Sequence, residues 1–502
     1  MTEATLPPLL ALPVELIHHI LTFVPSLSVA AVSGTCHWLR QHALSEQLWQ
    51  SLVNEKVPYH LTTPSPLPSF RELYIAHHPY WFLPEYRLWY ADSDPNGKLL
   101  LARYDARRGC IEAYSIVAEP GPHTFEIWQH NPNVVIHGFN PRVQLDLNQP
   151  VLKLDVGSPR AKFNPPPRRQ RRSMSNWFRP DQSFQEEDDD QDVEETPRLA
   201  REVLMDTGAP PGLYASFMLA RDHPAEITGP GTAVWPPLRV PALSRTRNTS
   251  LGSFAASGHR PKRNDEVSQH TFRIRKWVEF SHRQTTGIMT TLGSAEDRLY
   301  AAIEHGFSPQ ALLRGIGGQS VRMGEDVATY GTLPPACYTP TARKPWRGIW
   351  CGDYGPHGCE FLVMLQPDEG EESPLPQGMA RLHDWLTTGT RAQGSSSPSD
   401  GHGNTDLEAH SAMEEVYGST MQPTPDQESG DGADHEYSGR IEAVKLTGDP
   451  NIPRGEYTFI APDISDSGLI RISEDDTFRG ARVVRSAGHI ADSGFVNGKL
   501  FK

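Results

Sequence analysis

The sequence predicts an α+β protein: a small three-helix unit at the N terminus, followed by a mainly antiparallel, β-barrel-like domain with long disordered insertions. Two observations carry most of this expectation. Apolar residues recur at helical spacing through the N-terminal stretch, whereas most of the remaining chain reads as short strand-like runs punctuated by Gly, Pro, Asn and Asp. A third observation explains the interruptions, which are polar, charged or low in complexity and carry too little apolar surface to offset the entropy of ordering.

The first helix opens at Pro13, whose missing N–H costs nothing in a first turn, and Leu16, Ile17, Ile20, Leu21 and Val24 then share one face. Pro25 ends that run, and Ser26 is placed to cap a second helix carrying Leu27, Ala30, Ala31 and Val32. A third presents Cys36, Leu39 and Ala43, and Ser45 is placed to cap the segment bearing Leu48, Trp49, Leu52 and Val53. This unit, residues 8–57, lies near the size, roughly 50 residues, at which a lone core becomes marginal. Its leftover apolar surface therefore calls for cover from another chain or from the adjoining domain.

Residues 58–87 read as a helical linker, opened by the capping box Ser69-Phe-Arg-Glu72 and leading through Leu73 and Tyr74 to Trp81-Phe82. The β domain begins over 88–156, where Leu99 to Tyr104 and Ile111 to Val117 are strands joined by the turns Asp94-Pro-Asn-Gly97 and Arg108-Gly109. Residues 157–200 form an insertion with a basic run, Arg168 to Arg172, and an acidic run, Glu186 to Asp190; the basic run reads as a nuclear import signal or as a solvated loop. Strand character continues over 201–241, gives way to an insertion at 242–267, and resumes over 268–367 with the alternating Thr271 to Phe280. That segment holds one helix, capped by Ser294-Ala-Glu-Asp297, and strands at Gly348 to Trp350 and Glu360 to Leu365. Residues 368–438 are a third insertion, and 439–502 supply the C-terminal strands of the same β domain.

Composition excludes several classes of function. A formal net charge of −14 over 502 residues opposes the dominant basic field that nucleic-acid binding needs. Five scattered cysteines make no disulfide framework and point to a reducing compartment. No basic leader precedes the first apolar residues and no run suits a membrane span, so the expected location is cytoplasmic, nuclear or both, with neither nucleic acid nor membrane as partner. The sequence carries no Gly-x-Ser-x-Gly elbow, Walker loop, dinucleotide fingerprint or dense Cys/His array, which predicts a non-catalytic protein without a cofactor. Cys351, His357 and Cys359 invite a zinc reading, but their spacing fits no zinc template and no metal is expected.

The N-terminal unit resembles the F-box family. That family's opening L-P-x-E-L-x-x-x-I-L stands here as Leu12, Pro13, Glu15, Leu16, Ile20 and Leu21, and its closing L-W as Leu48-Trp49. The family's tryptophan usually sits three residues after the cysteine, whereas here Leu39 takes that place and Trp38 precedes it. The resemblance implies docking to a Skp1-like linker of a cullin-RING ubiquitin ligase through Leu12, Pro13, Glu15, Leu16, Ile20, Leu21, Leu27, Val32, Leu48 and Trp49. A few large apolar side chains usually dominate such a contact.

The strand-rich part resembles the family of F-box only protein 31 and its relatives. Its motifs appear in order as Trp350-Cys-Gly-Asp-Tyr354-Gly-Pro-His357-Gly-Cys-Glu360, Thr447-Gly-Asp449-Pro-Asn451-Ile-Pro-Arg-Gly455 and Gly488-His-Ile-Ala-Asp492-Ser-Gly494-Phe495. The resemblance implies a β-barrel-like client-recognition domain, with clients among cell-cycle regulators and proteins bearing unusual C-termini. Read on their own chemistry, these motifs are mostly tight turns that maintain the fold. Loops on a rigid scaffold also carry binding, which makes Trp350, Tyr354, His357, Asp449 and Asn451 the client-contact candidates. The functional expectation is a substrate-recognition adaptor of an SCF ubiquitin ligase. Its rivals are a β-barrel that senses a small apolar molecule and a Skp1-binding protein that works without a cullin.

Overall fold

A computed structural model describes residues 8–121, 125–127, 135–137, 140–155, 198–210, 213–222, 234–247, 260–279, 322–354, 358–368, 374–382, 385–386, 437–475, 478–490 and 494–501. His357, the helix expected from Ser294 and both charged runs of the 157–200 insertion lie outside them.

The N-terminal unit folds as four short helices, one more than the spacing predicts: α1 Val14–Thr22, α2 Ser26–Val32, α3 His37–Ala43 and α4 Glu46–Asn54. The fourth helix is the segment for which Ser45 is the expected cap; the ψ of 130° at Ser45 is extended and cannot continue α3 into α4. Neither expected serine cap forms. Ser45 precedes α4 without a side-chain bond, and Ser26 lies within the first turn of α2, where its hydroxyl accepts from Tyr74 Oη at 2.8 Å. Cys36 caps instead, its Sγ accepting from the Leu39 amide at 3.4 Å. In α5, Phe70–His77, the expected cap is present: Ser69 Oγ accepts from the Glu72 amide at 3.1 Å. A short α6, Phe82–Tyr86, leads into the sheet.

Ile17, Leu21, Val29, Leu48, Trp49 and Val53 are buried in one cluster that continues through Leu73, Trp81 and Phe82 into the first β-sheet. The cover that the small helical unit lacks thus comes partly from its own chain. Trp49 fixes the joint, its indole N–H donating to the Ala43 carbonyl at 2.8 Å from a nearly fully buried ring.

The first sheet is antiparallel and built from β1 Leu88–Ala91, β2 Leu99–Asp105, β3 Cys110–Glu119, β6 Arg142–Leu145, β7 Leu152–Asp155, β8 Val203–Met205, β9 Leu213–Arg221, β12 Val267–Glu279 and β13 Arg322–Gly331. Two small hairpins flank it, β4 Phe125–Ile127 with β5 Val135–His137 and β10 Val234–Trp235 with β11 Thr246–Arg247. Strand order is β6-β3-β2-β1-β13-β12-β9-β8, with β7 also on β3. One face, holding Trp89, Leu100, Tyr104, Phe217, Phe272, Ile274 and Tyr330, is filled by side chains; Phe272 stacks on Tyr330 at 4.9 Å between ring centres. This burial follows from the pleat, since Phe272 pairs with Tyr330 and Ile274 with Ala328 on the same face.

The second sheet holds β14 Gly348–Asp353, β15 Cys359–Leu365, β16 Ile441–Lys445, β17 Tyr457–Ala461, β18 Leu469–Ile472, β19 Arg482–Ile490 and β20 Gly494–Phe501 in the order β14-β15-β16-β17-β19-β18, with β20 along β19. Both sheets curl as half-barrels, in agreement with the α+β class read from the sequence. One face of the second sheet, with Phe361, Val363, Leu365, Val444 and Ile460, packs on Tyr90, Leu99 and Trp235 of the first part. The opposite face closes over Leu362, Met364, Ile441, Ala443 and Val484.

All three predicted insertions begin or end inside ordered structure, the first of them, 157–200, in the 3-10 turn Arg198–Ala200 that buries Ala200. Within 242–267, Thr246 pairs with Trp235, and Arg260 donates to Glu202 at 2.6 Å. Within 368–438, the 3-10 helix Gln377–Leu382 buries Met379, and Leu386 joins the same core, while Trp385 Nε1 donates to the Ser486 carbonyl at 3.1 Å. The composition of that stretch hid an apolar spacing, Met379, Leu382, Trp385 and Leu386, that is itself helical.

Candidate docking and client-facing surfaces

The expected docking residues divide by exposure. Pro13 and Glu15 face solvent, and so do Leu16, Ile20 and Leu27, which are 48%, 42% and 52% exposed. Leu12 and Val32 are half-buried against the core. Leu21, Leu48 and Trp49 are buried inside the chain, which corrects their expected place at a partner-facing contact: they hold the helices in position rather than face outward. Phe23 is the large apolar side chain that the motif reading missed, and it is 76% exposed. Its spacing was a usable signal, since it lies three residues beyond Ile20 and seven beyond Leu16 on one helical stripe.

The displaced tryptophan is accommodated without opening the core. Trp38 and Leu39 are both half-buried against the helical cluster, and the Trp38 ring meets His42 edge-on at 4.4 Å. Beside the exposed stripe runs a groove of about 90 Å³ lined by Leu27, Ala30, Leu44, Trp49, Tyr74 and Ile75. It extends the apolar surface from the first helices onto α5.

In the second sheet the expected client contacts also separate. Trp350 is 45% exposed on β14. Asp449 is buried and its carboxylate is fully engaged, accepting from the amides of Asn451 at 2.6 Å and Ile452 at 2.9 Å and from Lys445 Nζ at 2.9 Å. That corrects the client role for Asp449, which closes its own turn in the manner of an Asx motif. Asn451 is exposed at the tip of that turn. Tyr354 is half-buried, donates toward Thr458 Oγ1 at 3.3 Å, and has Lys445 Nζ 4.1 Å from its ring centre.

Lys445, which the sequence reading did not single out, ties these groups together. Its ammonium is fully buried and lies 2.6 Å from Glu360 Oε2 as well as 2.9 Å from Asp449 Oδ2. A buried ammonium needs such partners, because each unpaired ion in a low-dielectric interior costs several kcal/mol. Burial pushes the Glu360 carboxyl up to about 7, against the pull of Lys445. Burial also raises Asp449, but Lys445 and the two turn amides outweigh it and hold that carboxyl well below its ordinary range. Tyr354 is pushed up to about 12 by burial. The cluster is an ion-paired latch from β15 and β16 to the 447–455 turn.

That turn meets the first sheet. The Gly448 amide donates to the Asn96 carbonyl at 2.9 Å, the Arg454 amide to Pro95 at 3.0 Å, and Arg454 Nε to Ser93 at 2.9 Å. The Arg454 guanidinium lies 4.1 Å from the Trp235 ring centre. The two turn motifs, Asp94 to Gly97 and Gly448 to Asn451, thus form one clasp between the sheets. Glycine is required on both sides of it, since a Cβ would come within 2.7 Å of the Leu446 carbonyl at Gly97 and within 2.5 Å of the Arg454 nitrogen at Gly448.

Burial pushes the Cys351 thiol up to about 11 and raises Cys359 as well, so both are protonated thiols near neutral pH. Among the described residues, no group of three or more His, Cys, Asp or Glu side chains is placed to hold a metal ion. None of the described helices is long and apolar enough to cross a membrane.

Comparison with known families places both surfaces within defined modules. Residues 9–55 match the F-box-like family, and residues 330–502 match a family described as Cyclin D1 binding domain. The chain therefore carries an F-box-like domain at its N terminus, and the second module spans β14 to β20 together with the clasp turn. No curated protein matches the chain.

Proposed function

We propose that this protein is the substrate-recognition subunit of an SCF-type ubiquitin ligase. F-box domains generally bind Skp1 within cullin-RING ligases, and F-box proteins are generally non-catalytic adaptors. The observation that carries the reading is the stripe of Leu16, Ile20, Phe23 and Leu27, all large, apolar and more than two-fifths exposed on an F-box-like domain. A soluble chain seldom leaves such a stripe uncovered unless a partner takes it. The β domain holds the client, and the match of 330–502 supports a cyclin as the first client to test. Its contribution to the reaction is proximity and orientation, with the bond chemistry supplied by the rest of the ligase. The assembly would act in the cytoplasm, the nucleus or both. The sensor alternative receives little support from the first sheet, whose interior is occupied by Trp89, Phe217, Phe272 and Tyr330.

Leu16→Asp combined with Leu27→Asp places charge on the exposed stripe without touching the core. Co-purification with Skp1 should fall at least tenfold while the thermal transition stays within experimental error of wild type. Undiminished recovery of Skp1 by the folded double variant would sink the docking assignment.

A further inference from the structure

We infer that the open edge of β14 is a pairing site for an extended peptide segment of the client. Among the described residues, β14 hydrogen-bonds to β15 alone and ends the strand order of the second sheet.

The register shows which groups the edge offers. The Tyr354 amide donates to the Gly358 carbonyl at 2.9 Å, so the directly opposed pairs that bond across this hairpin are those of Tyr354, Gly352, Trp350 and Gly348. Antiparallel pairing alternates, which turns the N–H and C=O of Ile349, Cys351 and Asp353 away from β15. An independent set of bonds agrees: the N–H of Phe361, the residue opposite Cys351, goes to Thr447 Oγ1 at 2.8 Å, and its carbonyl accepts from Leu446 at 2.8 Å. Phe361 is therefore committed to the far side of β15, and Cys351 faces the open side.

The side chains leave that row accessible. Ile349 and Cys351 pack inward against the inter-sheet core, and Trp350 stands on the opposite face at 45% exposure. Its neighbours on that face, Gly348 and Gly352, have no side chains, and their Cβ positions lie 3.1 Å from the Trp350 indole and 2.9 Å from the Tyr354 ring. Edge strands are ordinarily guarded by Lys, Pro or a short length. Here Gly348 to Gly352 carries neither charge nor proline, and only Asp353 closes the strand. The outward N–H and C=O pairs of Ile349 and Cys351 are complemented by an extended chain and by little else, and an exposed tryptophan in mid-strand adds a pocket wall for alternate side chains. The occupant is thus a strand-forming segment with an apolar residue opposite Trp350.

The inference rests on the client-receptor reading only for the origin of that segment, and its test needs no Skp1. A library of random dodecamers displayed within a loop of a carrier protein, so that no free chain end is offered, is selected against the full chain. Recovered sequences should alternate apolar and polar residues, slow amide exchange at Ile349 and Cys351, and bind Cys351→Pro at least tenfold more weakly, since that proline deletes an outward N–H and no ladder bond. If Cys351→Pro shifts the thermal transition, Trp350→Glu on the solvent face decides instead, with the same tenfold loss expected. The Leu16→Asp, Leu27→Asp double variant should bind these peptides like wild type, which separates failure here from failure of the docking assignment. Recovery of no binder, or equal affinity for wild type and both edge variants, overturns the inference. So does protection of the two amides that rises with chain concentration alone, which would give the edge to a second copy.

Discussion

At the scale of single residues, the motif pattern told which side chains matter and concealed which way they point. Leu16 and Leu21 belong to one helical signature, yet one is 48% and the other 4% exposed. A helix turns about 100° per residue, so positions five apart point to opposite sides, and only the packed neighbours decide which side is the core. His77 shows the same limit more sharply, since nothing in its sequence context marks it as buried. Its ring packs edge-on against Trp81 at 5.3 Å and Tyr104 at 5.4 Å, and burial lowers its pKa from the usual 6.5 to about 4. A histidine whose folded pKa is depressed contributes nothing above the unfolded value and costs stability as pH falls, because the unfolded chain takes up a proton that the folded chain refuses. Between pH 6.5 and pH 4 that loss should reach about 3 kcal/mol. His77→Phe keeps the aromatic packing and removes the proton. Denaturant midpoints of the variant should therefore fall less steeply than wild type across this window, and identical slopes would show that His77 is not the group responsible.

At the scale of elements, strands and turns were more legible than helix boundaries. The Asp94 to Gly97 and Arg108-Gly109 turns were readable because Gly97 and Gly109 adopt φ of 66° and 64°, a region where other residues are strained. The break between α3 and α4 was marked only by Ser45 as a candidate cap, with no Gly or Pro beside it, and the cap bond itself does not form. Arg87 is a junction that no sequence rule would place: between α6 and β1 it holds φ 60° and ψ −53°, the single non-glycine residue with positive φ among those described. Its carbonyl accepts from the Ala102 amide at 2.7 Å, which pins the backbone there while the side chain remains exposed. Strain of this kind costs on the order of 1–3 kcal/mol, and glycine escapes most of it. Arg87→Gly should accordingly be more stable than Arg87→Ala by about 1 kcal/mol, after allowing for the larger entropy of unfolded glycine. Chemical denaturation of the two variants gives the difference directly. Elsewhere in the chain the order should reverse, so an alanine variant that is the more stable of the two would remove the argument for strain.

At the scale of the whole molecule, the sequence showed two turn motifs far apart and gave no sign that they touch. Composition reads residues singly and periodicity reads neighbours, whereas this clasp joins Asn96 to Gly448 and Pro95 to Arg454 across more than half the chain. It makes Asp449 structural, binds the module matching 330–502 to the first sheet, and so sets the edge of β14 relative to the N-terminal helices. Gly448→Ala tests that coupling. The added Cβ would lie 2.5 Å from the Arg454 nitrogen and 2.7 Å from the Ile452 carbonyl, both backbone atoms that cannot swing aside. The turn must therefore move, at a cost of at least about 2 kcal/mol by comparison with overpacked cores, and its bonds to Asn96 and Pro95 should go with it. Amide exchange at Gly448 and Arg454 should rise by at least tenfold, and the thermal transition should broaden or split as the two sheets lose their common unfolding. Skp1 recovery should be unchanged, because among the described residues the helical unit shares its core with the first sheet. A single sharp transition with wild-type protection at both amides would mean that the sheets are held by their apolar interface and that the clasp is only a consequence of it.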